Sequence, residues 1–184
     1  MIVFYVRSFV GVCVIASLLG CQKDGVERYQ VSKDHIENKA AVVAVSDSTS
    51  ALTWHSQPQW VVVPVPPPLL AKFSIPVSTR TCELTISQLS GDAGGLLANV
   101  NRWRGQLGLS PVDSRELESL VVSETFGRYT FRMVGLSRDD RAMSVAILEL
   151  DGASWFFKLS GRPDDVSGLR TQFVRFLTQL EPRR

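Results

Sequence analysis

Residues Ser90–Leu109 read SGDAGGLLANVNRWRGQLGL, and the change of period inside this stretch decides the fold. Before it, Cys82, Leu84 and Ile86 alternate with Glu83, Thr85 and Ser87, the two-residue repeat of a half-buried strand over Cys82–Leu89. Gly91, Gly94 and Gly95 then supply a turn, because glycine reaches positive φ without steric cost. From Leu96 the apolar spacing lengthens. Leu96, Val100, Trp103 and Leu107 stand at i, i+4, i+7 and i+11 and form one stripe of a helix. Gly108 follows where a left-handed C-cap is usual. Asn99, Arg102 and Gln106 share the opposite, polar face, and Asn101 and Arg104 flank the stripe at its boundary with solvent.

Two readings of this stretch stay open. In one it is a strand–turn–helix unit whose glycines allow the turn and whose Trp103 anchors the helix on a sheet. In the other it is an anion or partner site: backbone N–H groups at a glycine-rich helix start attract negative charge, and Arg102 and Arg104 close over the ligand. Asp92 places a carboxylate in the loop and no Lys-Ser/Thr pair follows, so this is not a phosphate-cradling P-loop; GxGxxG spacing is absent as well. The candidate binding residues are therefore Asp92, Asn99, Asn101, Arg102 and Arg104.

The same stretch resembles the motif of a family of bacterial envelope proteins, many of them lipoproteins, with a pattern close to G-D-x-G-G-x-x-x-N-V-N-R-W-R-x-Q-[LV]-G-L. Gly91, Asp92, Gly94, Gly95, Asn99–Arg104, Gln106, Gly108 and Leu109 carry the match. Trp54 and Trp60 fit its opening, and the W-F-F-K-L-x-G run Trp155–Gly161 fits its close. The resemblance spans about Thr53 to the C-terminus and implies a compartment, with no reaction attached. The order of elements is also similar to that of PsbP-like folds.

The N-terminal segment agrees on the compartment. Met1–Leu19 carries Arg7 and then an apolar run from Phe9 to Leu19, ending Leu18-Leu19-Gly20-Cys21. A basic start, an apolar centre of this length and a small residue before the cut describe an export signal over 1–20. The run is short for a membrane-spanning helix, which needs about 20 apolar residues. Cysteine at the first mature position resembles a lipobox, which implies a diacylglyceryl group on the Cys21 thiol and acylation, such as palmitate, on its amine. Several buried acyl chains hold a protein far better than one. Membrane lipid reached through acylated Cys21 is thus the first expected partner. Gln22, in place of Asp, favours the outer over the inner membrane.

Residues 21–52 mix Lys, Asp, Glu, Ser and Asn with a short Ala40–Val45 run and show no sustained period, as expected of a flexible tether. One globular domain over 53–184 follows. Trp60–Val63 reads as a strand stopped by Pro64, Pro66, Pro67 and Pro68, hence an edge or an extended connection. Leu69–Ile75 pairs with Cys82–Leu89 across Pro76–Thr81. Asp113 stands at capping-box spacing from Glu116 and starts a short helix over Ser114–Leu120. Three strands follow as a meander, Gly127–Val134, Arg141–Leu150 and Ser154–Leu159, turning at Ser137–Asp140 and Asp151-Gly152. Asp164 or Asp165 then caps a last helix, Val166–Leu180, with Leu169, Phe173, Phe176, Leu177 and Leu180 buried. Runs of antiparallel strands with helices packed on them give an α+β sandwich, an antiparallel sheet covered by amphipathic helices.

The chemistry is sparse. GxSxG, HExxH and Cys–His arrangements are absent, and His35 and His55 have no second ligand at metal spacing, so no catalytic residue, metal or cofactor is expected. With Cys13 removed and Cys21 a thioether, Cys82 stands alone on the inward side of its strand and behaves as a small apolar residue. The net charge of +2 falls to +1 once Arg7 leaves with the signal, which argues against a nucleic-acid surface. The expectation is a lipid-anchored, non-enzymatic binding or scaffold domain of the cell envelope, with an envelope protein or a small ligand as second partner. The alternative is an envelope enzyme or small-ligand-binding protein that uses the Gly91–Arg104 loop and helix.

Overall fold

The computed structural model describes residues 50–183. The signal over 1–20, the lipidation site Cys21 and the tether as far as residue 49, including Ala40–Val45, lie outside the described residues. Strands β1 (Leu52–Thr53), β2 (Val61–Val63), β3 (Leu69–Val77) and β4 (Arg80–Ser90) lead into helices α1 (Leu96–Gln106) and α2 (Ser114–Leu120). Strands β5 (Val121–Phe126), β6 (Tyr129–Arg138), β7 (Arg141–Leu150) and β8 (Ala153–Gly161) follow, then α3 (Pro163–Gly168), α4 (Arg170–Thr178) and β9 (Glu181–Pro182). Seven strands form one antiparallel sheet in the order β2-β3-β4-β8-β7-β6-β5, and β1 pairs with β9 apart from it.

Local sequence explains most of these elements. Asp151 and Gly152 both take positive φ, 51° and 71°, in the two-residue turn that sets Leu150 opposite Ala153. The turn at Asp139-Asp140 sets Arg138 opposite Arg141. At α2 the Asp113 carboxylate accepts from the Glu116 N–H and the Glu116 side chain from the Asp113 N–H, a complete capping box. The two halves of the sheet meet where β4 pairs with β8, from Glu83 opposite Ser160 to Ser90 opposite Ala153.

The sheet separates two cores. On one face α3 and α4 lay Val166, Leu169, Phe173, Phe176 and Leu177 over Phe73, Leu84, Ile86, Phe131 and Phe157, with Trp54 and Trp60 closing the margin. On the other, α1 and α2 lay Val100, Trp103 and Leu107 over Val134, Val145, Ile147 and Phe156. The helix stripes read from the sequence face the sheet, one on each side, with Leu96 only partly buried; Asn99, expected on the polar face of α1, is buried as well. Cys82 is fully buried on the α4 side. Its Sγ fills the space beside Gly161, where an added Cβ would sit 2.3 Å from it. Burial pushes its thiol pKa up, which keeps it a thiol.

Four expectations need correction. The meander has four strands: Val121–Phe126 adds β5 at the sheet edge, and Gly127, read as a strand residue, turns the chain at φ 61°. The last helix is broken at Leu169 into α3 and α4, and Leu180, though buried, lies beyond it. Neither Asp164 nor Asp165 caps it. Arg162 holds the N-cap position without a side-chain bond, Pro163 starts the helix, and both aspartates sit in the first turn. Finally, Ser50 and Leu52, assigned to the tether from sequence, are buried, and Leu52 lies opposite Pro182 in the β1–β9 pair.

Candidate functional site

The Ser90–Leu109 stretch is built almost entirely from its own polar side chains. Between β4 and α1 the backbone takes positive φ at Gly91, Ala93, Gly94 and Gly95, which reverses the chain within a few residues. The Asp92 carboxylate accepts from the Gly94 N–H at 3.1 Å, so the loop supplies its own anion to that donor. Asn99, only 2% exposed, donates from Nδ2 to the Ala93 and Gly95 carbonyls at 3.1 and 2.8 Å and ties the loop to the helix. Ser154 Oγ donates to the Gly91 carbonyl, which fixes the loop to β8.

The far end of α1 is fixed in the same way. Gly108, at φ 72°, donates to the Gly105 carbonyl, and Leu109 N–H donates to that of Arg104, the bond pair of a Schellman cap. Asn101 bonds both backbone groups of Val112, accepting from its N–H at 2.8 Å and donating to its carbonyl at 2.9 Å. Arg104 Nε donates to the Ser110 carbonyl at 2.7 Å. Asp92, Asn99, Asn101 and Arg104 thus bond the backbone around them.

Arg102 differs from the other four. It is exposed, and its guanidinium donates to Asn99 Oδ1 at 2.9 Å, an amide oxygen. The reason it faces a cleft lies in how much sheet α1 covers. Its stripe rests on β6, β7 and β8, whereas β3 and β4 project Lys72, Ser74, Glu83, Thr85 and Ser87 from the same face. At the step between helix and open strands lies a cavity of about 110 Å³, walled by Leu69, Leu89, Trp103 and Phe156 and carrying Thr85, Ser87, Asn99, Arg102 and Lys158. A second, polar depression of about 490 Å³ adjoins Lys158 on the side of Glu83, Gln106 and Arg141.

Lys158 is the residue that sequence reasoning passed over. It lies opposite Thr85 and is half-buried on β8. Its Nζ donates to Gln106 Oε1 at 3.5 Å, a long bond. Burial lowers its pKa, and the Glu83 carboxylate opposes part of that shift. Glu83 itself is bound to Lys72 at 2.6 Å. The signal available in the sequence was one lysine inside the apolar run ASWFFKL.

The structure therefore brings Asn99 and Arg102 together with Lys158, Thr85 and Ser87. Asn101 and Arg104 converge elsewhere, on Ser110–Val112. Asp92 lines a separate shallow depression with Glu149 and Asp151. Among the described residues, no group of three or more His, Cys, Asp and Glu is placed to hold a metal ion. What the cleft offers chemically is two cations, two hydroxyls and an apolar wall.

No protein-family model matches the chain, and no curated protein matches it. The envelope-family motif therefore has no counterpart in those comparisons. Solved structures do match. LpqN of Mycobacterium tuberculosis, involved in cell envelope biogenesis, is 15% identical with a TM-score of 0.40, over 72% of this chain and 83% of that one. A protein from Bacteroides thetaiotaomicron is 9% identical with a TM-score of 0.48 over 73% of this chain, which spans 46% of that protein's length. Cyanobacterial PsbP (CyanoP) from Synechocystis sp. PCC 6803 is 13% identical with a TM-score of 0.51, over 83% of this chain and 99% of that one. With the seven-stranded antiparallel sheet and its helices on both faces, that last likeness gives the chain an α+β fold of PsbP-like form.

Proposed function

We propose that this protein is a lipid-anchored, non-enzymatic binding domain of the bacterial cell envelope that presents the Arg102 side of α1 to its partner. The observation that carries the binding reading is the division of labour within the motif. Four of its polar side chains hold the backbone, and Arg102 is left beside Lys158 in an open cleft. Two cations, hydroxyls and apolar walls supply attraction and shape. Lys158, the one base beside the Thr85 and Ser87 hydroxyls, bonds the Gln106 amide oxygen, which favours a binding role over activation of a hydroxyl nucleophile. The lipobox-like Leu18–Cys21 supports the anchor, and Gln22 supports the outer membrane as its destination.

Labelling cells with a palmitate analogue tests the anchor. Wild-type protein is expected to take up label and sediment with outer membranes on a density gradient, and Cys21→Ser to lose the label and appear soluble or unprocessed. Intact wild-type protein with no lipid mass on Cys21 would overturn it. For the binding half, Arg102→Ala and Lys158→Ala, at unchanged abundance, are expected to fail to complement the cellular phenotype that deletion of the protein produces. Full complementation by both variants would overturn it.

A further inference from the structure

The small cavity beside α1 carries an unusual charge arrangement. Arg102 and Lys158 both line it, and no carboxylate does. Among the described residues neither cation forms an ion pair: Arg102 is bonded to the Asn99 amide oxygen, and Lys158 reaches the Gln106 amide oxygen over 3.5 Å. The acid whose charge acts on Lys158, Glu83, is bound to Lys72 at 2.6 Å, across the β3–β4 pair. Thr85 and Ser87 bring hydroxyl donors to the same cavity, and Trp103 and Phe156 give it dry walls. Charge-assisted bonds in such surroundings are stronger than in water, and a guanidinium offers paired N–H donors suited to a planar or tetrahedral oxyanion.

We infer that this cavity is an anion site, which takes the carboxylate or phosphate group of a ligand between Arg102 and Lys158 with Thr85 and Ser87 as further donors. Its volume of about 110 Å³ suits one such group and a few carbon atoms beyond it. The bulk of a larger ligand extends past Lys158 into the polar depression lined by Gln106 and Arg141. The carboxylates Glu83 and Asp140 line it too, so that part of the ligand is uncharged or cationic. A free organic or phosphate anion and the phosphodiester of an anionic lipid headgroup share this chemistry. The burial that lowers the Lys158 pKa has the same origin, an ammonium with little water around it, and a bound anion would reverse the shift. The inference rests on the proposed binding role of the Arg102 face. It stands or falls separately from the lipid anchor and from the cellular phenotype, because its test reads the ligand directly.

The test uses the full chain in phosphatidylcholine nanodiscs, labelled with 5-fluorotryptophan. Of the four tryptophans, Trp103 lines the cavity, whereas Trp54, Trp60 and Trp155 lie in the core on the opposite sheet face and serve as internal references. Adding inorganic phosphate or succinate is expected to move the Trp103 fluorine resonance saturably and leave the other three in place. Arg102→Gln and Lys158→Met should each weaken binding at least tenfold, and Lys158→Arg should hold it within about threefold. Arg175→Gln, on α4 over the opposite sheet face, should change it little. If the headgroup is the source, the same Trp103 shift appears without free anion when the nanodiscs contain phosphatidylglycerol. Unmoved reference resonances show that each variant is folded. A Trp103 resonance that responds to neither source, or that responds equally in the Arg102→Gln/Lys158→Met double variant, would overturn the site.

Discussion

Trp103 and Arg102 are chain neighbours that point to opposite fates. The Trp103 ring meets Phe156 edge-on, centroids 5.7 Å apart at 75°, and is the largest side chain that α1 buries on the sheet, between Val100 and Leu107. Trp103→Ala leaves a cavity there and should cost about 3–5 kcal/mol, a fall in Tm of roughly 10 °C. Arg102→Ala removes one exposed side chain and one bond to Asn99, so about 0.5–1 kcal/mol is expected. Thermal melts of the two variants decide between the roles. Equal losses would make Arg102 a structural residue and remove the main support for a binding face. The apolar stripe of α1 was legible in its spacing, because a helix period needs only local sequence. The partners of Asn99, Asn101 and Arg104 were not, since each bonds a loop carbonyl whose position depends on the path of the loop. Lys158 was hidden for another reason: it lies over fifty residues from Arg102, and the packing of α1 on β8, Trp103 against Phe156, brings the two to one cavity.

Elements with a strong period or a local cap emerge from sequence alone, and α2 and the β7–β8 hairpin are examples. Strand β5 did not emerge. Its VVSETF sequence starts directly after α2 and puts Val121 and Val122 side by side, which blurs the alternation; Val122 is 56% exposed at the sheet edge. The start of α3 is decided by a residue far away. Asp165 is buried and gives both carboxylate oxygens to Arg80, at 2.8 and 2.9 Å, which joins α3 to the first turn of the β3–β4 hairpin. Capping-box logic sees only the next few residues, so it misassigned this carboxylate. The hydrogen bonds from Arg80, with its charge, hold the Asp165 pKa below the ordinary 3.8. A depressed carboxylate pKa contributes stability above the unfolded value and loses it as pH falls through the folded value. Wild-type protein should therefore exceed Asp165→Asn in stability by a constant margin above about pH 5, narrowing below about pH 4. Denaturant melts at pH 3, 5 and 7 check this; a margin that does not narrow at pH 3 would mean the ion pair contributes nothing.

Among the described residues a seven-stranded sheet separates two cores, and the larger core is closed by the ends of the described chain. Leu52 is fully buried among the α4-side residues, and β1 pairs with β9 so that Leu52 lies opposite Pro182 and Thr53 opposite Glu181. The Arg183 N–H donates to the Ala51 carbonyl at 2.9 Å, and Ser50 Oγ bonds the Leu52 carbonyl at 2.8 Å. The sequence hides this because two-residue strands have no period, and their pairing spans 128 residues between Thr53 and Glu181. The arrangement bears on the proposed anchor: the described chain enters the fold through a strand paired with Glu181–Pro182. Leu52→Ala tests it. If Leu52 were the last tether residue, the change would touch a solvent-exposed side chain and cost no more than about 0.5 kcal/mol. As a buried core residue it should instead cost about 2–5 kcal/mol, because the space left by its side chain is walled by rigid neighbours. The loss should read out as a Tm about 10 °C lower, with the Cys21-dependent membrane fraction unchanged. A melt indistinguishable from wild type would put the start of the folded domain after residue 52 and leave the β1–β9 pair without a stabilising role.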